Sequence, residues 1–168
     1  MPVVRAVVVL LAVLSFCPQR ASADVAEQPV PLSEAELARI VHANDGRPLI
    51  LVHWASWCAP CRHFREKLEK IRAEYPESDL RMLGVSLDRD PKRAAAYLSA
   101  EPLPYPARIG DADMLKARSG TPVPTTILYR RDGTVERELV GDASEKRLRH
   151  YVERIARHQR TGYGLLEP

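Results

Sequence analysis

The sequence predicts an α/β fold in which a parallel βαβ unit is followed by an antiparallel hairpin and a closing helix. Two observations carry that reading. Pro48–Trp54 (PLILVHW) and Leu80–Leu87 (LRMLGVSL) are short apolar runs without alternation, the pattern of strands buried on both faces. Between them Phe64, Leu68 and Ile71 recur at helical spacing, and strand–helix–strand with short joints makes the two strands parallel. Further on, Thr125–Arg130 and Thr134–Val140 are strand-like and meet at Arg131-Asp132-Gly133, a hairpin signal.

The remaining elements follow in chain order. Met1–Arg5 carries one positive charge, Ala6–Phe16 (AVVVLLAVLSF) is apolar, and Ala21-Ser22-Ala23 supplies small residues in an A-x-A arrangement. Those features predict a secretory signal peptide over residues 1–23, cleaved before Asp24, with the mature chain periplasmic or otherwise exported. The apolar stretch is short of the ~20 residues a membrane span needs. Bulky Phe16 before Cys17 argues against a lipoprotein site. Asp24–Leu32, with Pro29 and Pro31, reads as a flexible lead-in, and 33–158 as the folded domain.

Ser33-Glu34-Ala35-Glu36 is a capping box opening a helix with Leu37, Ile40 and Val41 inward, stopped at Asn44-Asp45-Gly46. The helix between the two strands ends near Tyr75-Pro76. Asp90/Pro91–Ala100 is helical with Pro91 in its first turn. Glu101–Pro106 (EPLPYP) reads as a loop, because three prolines interrupt it. Asp111–Ser119 is a short helix, and Ser144–His158 a last one with Leu148, Val152 and Ile155 inward. Residues 159–168 form a tail.

A chain of 168 residues with 45% hydrophobic and 28% charged residues can bury the core of one globular domain. Its net charge falls from +3 to +1 on loss of the leader, which carries Arg5 and Arg20 and no acid. Arg62, Arg65, Lys67, Lys70 and Arg72 alternate with Glu66 and Glu69, which reads as a solvated helix face. A nucleic-acid surface would cluster its bases, so no such partner is expected. The chain is read as a monomer.

Cleavage also removes Cys17 and leaves one pair, Cys58-Ala59-Pro60-Cys61, in a compartment where disulfides form. A c-type haem would need His where Arg62 stands. Structural zinc needs four ligands, and His42, His53, His63, His150 and His158 show no ligand-like pairing with the cysteines, so no metal is expected. A staple across so short a loop adds little, because the stabilisation grows with loop length. Redox exchange remains, with the Cys58–Cys61 disulfide itself as the only redox group. A strand ending at Trp54, a tight turn and a helix opening at Cys58 place Cys58 at the helix N-terminus, where free N–H groups and the dipole favour a thiolate. Each pKa unit gained is worth roughly 1.4 kcal/mol of thiolate preference. Cys61, one turn inside, is expected to be shielded and to attack only after a mixed disulfide forms. Ala59 and Pro60 make the turn, and Trp57 beside Cys58 is expected to shape the partner surface.

Trp54-Ala55-Ser56-Trp57-Cys58-Ala59-Pro60-Cys61-Arg62 resembles the active-site signature of the thioredoxin superfamily. Val123-Pro124-Thr125 is its second anchor, just before a strand. The resemblance implies a thioredoxin fold, a cis Pro124 beside the disulfide, and a backbone at Val123 open to a substrate strand. Gly84–Tyr97, Pro104–Ile109 and Asp132–Gly141 resemble the exported TlpA/ResA-type branch, which implies a helical insertion between the βαβ and ββα halves. It also implies reduction of client-protein disulfides, of the cytochrome c or copper-site maturation kind, with electrons from a membrane thiol carrier.

Two departures stand out. Val52 occupies the place of the buried aspartate of thioredoxin, and Phe64 the place of the glutamate frequent in the TlpA/ResA branch. The proton acceptor for Cys61 is thereby unassigned. His53 is the nearest candidate by sequence, although a strand histidine satisfied elsewhere is the plainer reading. A peroxidase of related fold would carry threonine at Ala55, so peroxide reduction is set aside. A thiol oxidase on the same scaffold and a Cu(I) chaperone using Cys58 and Cys61 are the alternatives.

Overall fold

A computed structural model describes residues 30–43 and 45–156. The expected leader, most of the lead-in and the tail lie outside the described residues. Among the described residues eleven elements run in order: β1 (Pro31–Leu32), α1 (Glu34–His42), β2 (Leu49–Trp54), α2 (Ala59–Glu74), β3 (Arg81–Ser86), α3 (Pro91–Ala100), β4 (Ala107–Gly110), α4 (Ala112–Ala117), β5 (Thr125–Tyr129), β6 (Val135–Val140) and α5 (Glu145–Ala156). They build one mixed sheet in the order β1-β4-β3-β2-β5-β6. Strand β2 pairs parallel with β3 and antiparallel with β5, and β5 pairs antiparallel with β6. This is the sheet expected from the βαβ unit and the hairpin.

Every residue of β2 is buried, because helices cover both faces of the sheet. Side chains alternate along it. Ile50 and Val52 join Phe64, Leu68 and Ile71 of α2 and Leu148, Val152 and Ile155 of α5. Leu49 and Leu51 join Leu37 and Val41 of α1 and Met114 of α4 on the other face. Ser33 caps α1 by accepting from Glu36 N at 3.1 Å. The β5–β6 turn closes through Gly133, whose φ of 79° suits a residue without Cβ.

Two expectations need correction. Pro31–Leu32, read from its prolines as lead-in, pairs parallel with Ile109 and Gly110, and the backbone N–H of Asp111 donates to Leu32 at 2.9 Å. Leu32 is fully buried, and that burial outweighs the missing proline donor at a sheet edge. The insertion between the two halves is also more than helical. After α3 the chain forms β4, which pairs parallel with β3, and the prolines of Glu101–Pro106 bound this strand.

Candidate active site

The site forms where β2 ends and α2 begins. Trp54 closes the strand, Ala55–Trp57 turns, and Cys58 caps α2 in extended backbone, with Pro60 in the first turn where its missing N–H has no helical partner to lose. Cys58 N donates to Ala55 O at 3.1 Å and closes the turn. Cys58 and Cys61 are joined in a disulfide, with Cα atoms 5.3 Å apart. The Cys61 backbone N–H is shared between Cys58 Sγ and Cys58 O, at 3.1 Å to each, so the first sulfur sits against a donor of the first helical turn.

The exposure of the two cysteines is the reverse of the expectation. Cys58 is 3% exposed, whereas Cys61 is half-buried. As the cap, Cys58 folds over the helix end beneath the turn. Cys61 instead faces a crevice between α2 and α3 that Trp54, Phe64, Tyr97 and Pro124 also line. Trp57 is 62% exposed and stands over the site, while Trp54 is buried with its ring 5.3 Å from that of Tyr97. Ala59 and Pro60 are exposed. The Val123–Pro124 peptide is cis. Val123 is half-buried, Pro124 is buried, and Thr125 Oγ1 donates to Pro122 O at 2.7 Å behind them. The two anchors of the sequence therefore meet at Cys61.

The sequence reading missed Asp88. This residue is 1% exposed, and its carboxylate accepts from Ser56 N at 2.8 Å, Ser56 Oγ at 2.7 Å and Ser86 Oγ at 2.7 Å. A buried carboxylate thus ties the Ala55–Trp57 turn to the end of β3, and charge-assisted bonds of this length are the strong ones. The signal was an acid directly after a buried strand, where an unpaired charge would not be tolerated.

His53 fits neither of its two readings. Strand alternation turns it away from Val52 and Trp54, hence away from Cys61 and toward the α1–α4 face. Nor is it satisfied elsewhere. It is fully buried, and neither ring nitrogen has a hydrogen-bond partner among the described residues. Burial pushes its pKa down to about 4, Arg118 adds to the drop, and Glu34 opposes it. Among the described residues, no group of three or more His, Cys, Asp or Glu is placed to hold a metal ion.

A sequence match settles the family. Residues 18–138, most of the chain, match the AhpC/TSA family. The chain belongs to that family. The thiol-disulfide oxidoreductase ResA of Bacillus thuringiensis subsp. konkukian is 23% identical to this AhpC/TSA chain over 111 residues, 66% of this chain and 64% of ResA. The chain thus spans slightly less than two-thirds of that relative's length. The sporulation thiol-disulfide oxidoreductase A of Bacillus subtilis is 22% identical over 154 residues, covering 87% of this chain and 93% of the relative. Among solved structures, a thiol:disulfide interchange protein of the thioredoxin family from Chlorobium tepidum superposes with a TM-score of 0.58 at 19% identity, over 68% of this chain and 83% of that one. The fold of this AhpC/TSA chain is the thioredoxin fold.

Proposed function

We propose that this chain is an exported thiol–disulfide oxidoreductase that reduces disulfides of client proteins. The observation that carries the reading is the Cys58–Cys61 disulfide at the start of α2, with Cys58 on the helix cap and Cys61 beside Pro124. The relatives named as thiol-disulfide oxidoreductases support it. In the reduced enzyme the Cys58 thiolate attacks a client disulfide. A Cys58–client bond forms, the client S–S bond breaks, and one client sulfur leaves as thiolate. Cys61 then attacks Cys58 Sγ, the internal disulfide forms, and the second client sulfur leaves. Two electrons pass to the client, and a membrane thiol carrier restores the dithiol.

Exposed Trp57 offers the client an apolar platform, and the Val123 backbone offers it a strand-like edge. The reducing direction is the one that the TlpA/ResA-type resemblance implies, and the surroundings of Cys58 in the disulfide form support it. Its donor is one backbone N–H, the Asp88 carboxylate is bonded into the same turn, and the residue is nearly covered. A poorly stabilised thiolate makes a low-potential reductant. Clients of the cytochrome c or copper-site maturation kind, and a leader that exports the chain, complete the reading. Peroxide reduction lacks support at the site, since buried Ala55 has no hydroxyl to offer a peroxide.

Single-cysteine variants test the mechanism. With a disulfide-bonded peptide, Cys58→Ser should lose turnover, and Cys61→Ser should accumulate a Cys58–peptide mixed disulfide visible by mass spectrometry. Turnover by Cys58→Ser, or no trapped adduct in Cys61→Ser, would overturn the assignment.

A further inference from the structure

We propose that the crevice under Cys61 is the proton exit of the resolving step, with a bound water taking the Cys61 proton and Tyr97 passing it on to Glu101. The inference rests on the reading of Cys61 as the resolving cysteine. Cys61 must lose its proton before it attacks, and the two positions where related proteins keep an acid are Val52 and Phe64. Both line this crevice and neither can accept a proton.

The polar groups come from elsewhere. Trp54 is 5% exposed, lines the crevice, and its Nε1–H finds no acceptor among the described residues. The cavity measures about 20 Å³, room for one water molecule. In this relay a water there accepts from Trp54 Nε1 and lies between Cys61 and Tyr97, which line the same crevice. Tyr97 is already oriented, because its hydroxyl donates to Glu101 Oε2 at 3.1 Å. Arg65, also lining the crevice, donates to the same oxygen from Nη1 at 3.3 Å and to Glu69 Oε1 from Nε at 2.7 Å. Glu101 reaches solvent, with its side chain 46% exposed.

The step balances. Cys61 gives its proton to the water, the water gives one to Tyr97 Oη, and Tyr97 gives its own to Glu101, which releases it to solvent. The Cys61 thiolate then attacks Cys58 Sγ, the Cys58–Cys61 bond forms, and the Cys58–client bond breaks with its electron pair on the client sulfur. Burial and the bond to Glu101 hold the Tyr97 hydroxyl above its usual range, against the opposing pull of the Arg65 guanidinium, so it relays a proton without ionising at neutral pH. The titratable groups around the crevice are Arg65 and Glu69 from α2, Tyr97 from α3 and Glu101 at its C-cap, and Tyr105 from the segment before β4, whose hydroxyl burial also pushes up.

Tyr97→Phe keeps the ring against Trp54 and removes the relay, and Glu101→Gln removes its terminus. Reduced protein is mixed with a peptide disulfide, quenched in acid, and the mixed disulfide and released thiol are counted by mass spectrometry from about pH 6 to pH 9. Both variants should form the mixed disulfide at the wild-type rate. They should resolve it on the order of 10-fold more slowly near pH 6, below the 10²–10⁴ of a directly placed general base, with the gap closing toward pH 9. Resolution at the wild-type rate throughout, or slowing by the same factor at every pH, would overturn the relay. Failure of Cys61→Ser to trap the adduct would instead remove the exchange reading itself.

Discussion

His53→Leu removes, from the centre of the sheet, a fully buried imidazole whose two nitrogens have no hydrogen-bond partner among the described residues. Folding lowers the His53 pKa from 6.5 to about 4, chiefly by burial and then by Arg118. Between those values the unfolded chain holds a proton that the folded chain does not, so stability rises with pH across this window and is flat above it. At ~1.4 kcal/mol per pH unit, the drop is worth about 3 kcal/mol once His53 is protonated in both states, and about 2.5 kcal/mol between pH 7.5 and pH 4.5. Urea unfolding at the two pH values, with the disulfide intact, measures this directly. Wild type should lose about 2.5 kcal/mol more than His53→Leu on acidification, because the carboxylate contributions are common to both and cancel. At pH 7.5 the variant should be the more stable by about 1–3 kcal/mol, since two buried polar atoms no longer go unpaired and leucine continues the Leu49/Leu51 face. Parallel losses in the two proteins would refute the burial argument.

The other predictions concern the turn that holds Cys58 and the crevice beside it. Asp88→Asn sets an amide N–H2 among the donors of Ser56 and Ser86 and should cost about 2–3 kcal/mol by urea unfolding, with Ser56→Ala nearer 1 kcal/mol. Both should slow attack on a peptide disulfide, as the Ala55–Trp57 turn loses its tie to β3, and unchanged stability in Asp88→Asn would remove that tie. Gly84→Ala would bring a Cβ to 3.2 Å from both Trp54 Nε1 and Tyr105 Cε2 in a packed strand. The expected loss is about 1–3 kcal/mol, with a changed tryptophan emission as Trp54 shifts. A wild-type unfolding midpoint would show that the crevice gives way freely.

The features legible in sequence were those fixed by local pattern. The unalternating runs before Trp54 and around Leu83 are β2 and β3, and the placement of Cys58 at a helix cap follows from the change of period after it. Features set by long-range pairing were not legible. Pro31–Leu32 and Ala107–Gly110 carry too few residues and too many neighbouring prolines to read as strands; β4 exists because it pairs with β3, and β1 because it pairs with β4. The same burial that marks β2 hid the direction of His53, since a strand covered on both faces shows no alternation to follow. Asp88 lies within Gly84–Tyr97 as an acid after a buried strand, but its role is not legible there, because its three donors come from two separate segments. The exposure of Cys61 depends on where α3 packs against α2, which no spacing within Cys58–Cys61 encodes.

The reduction potential of the Cys58/Cys61 couple tests the proposed direction of electron flow most directly. The chain is equilibrated in glutathione and dithiothreitol redox buffers, trapped in acid and alkylated, and its dithiol fraction is counted by mass. A reductant of client disulfides should sit at roughly −250 mV or lower, near the ~−270 mV of thioredoxin. A value near the ~−120 mV of a strong thiol oxidant, about 7 kcal/mol away, would mean that Cys58 is well stabilised as a thiolate and that the chain inserts disulfides instead.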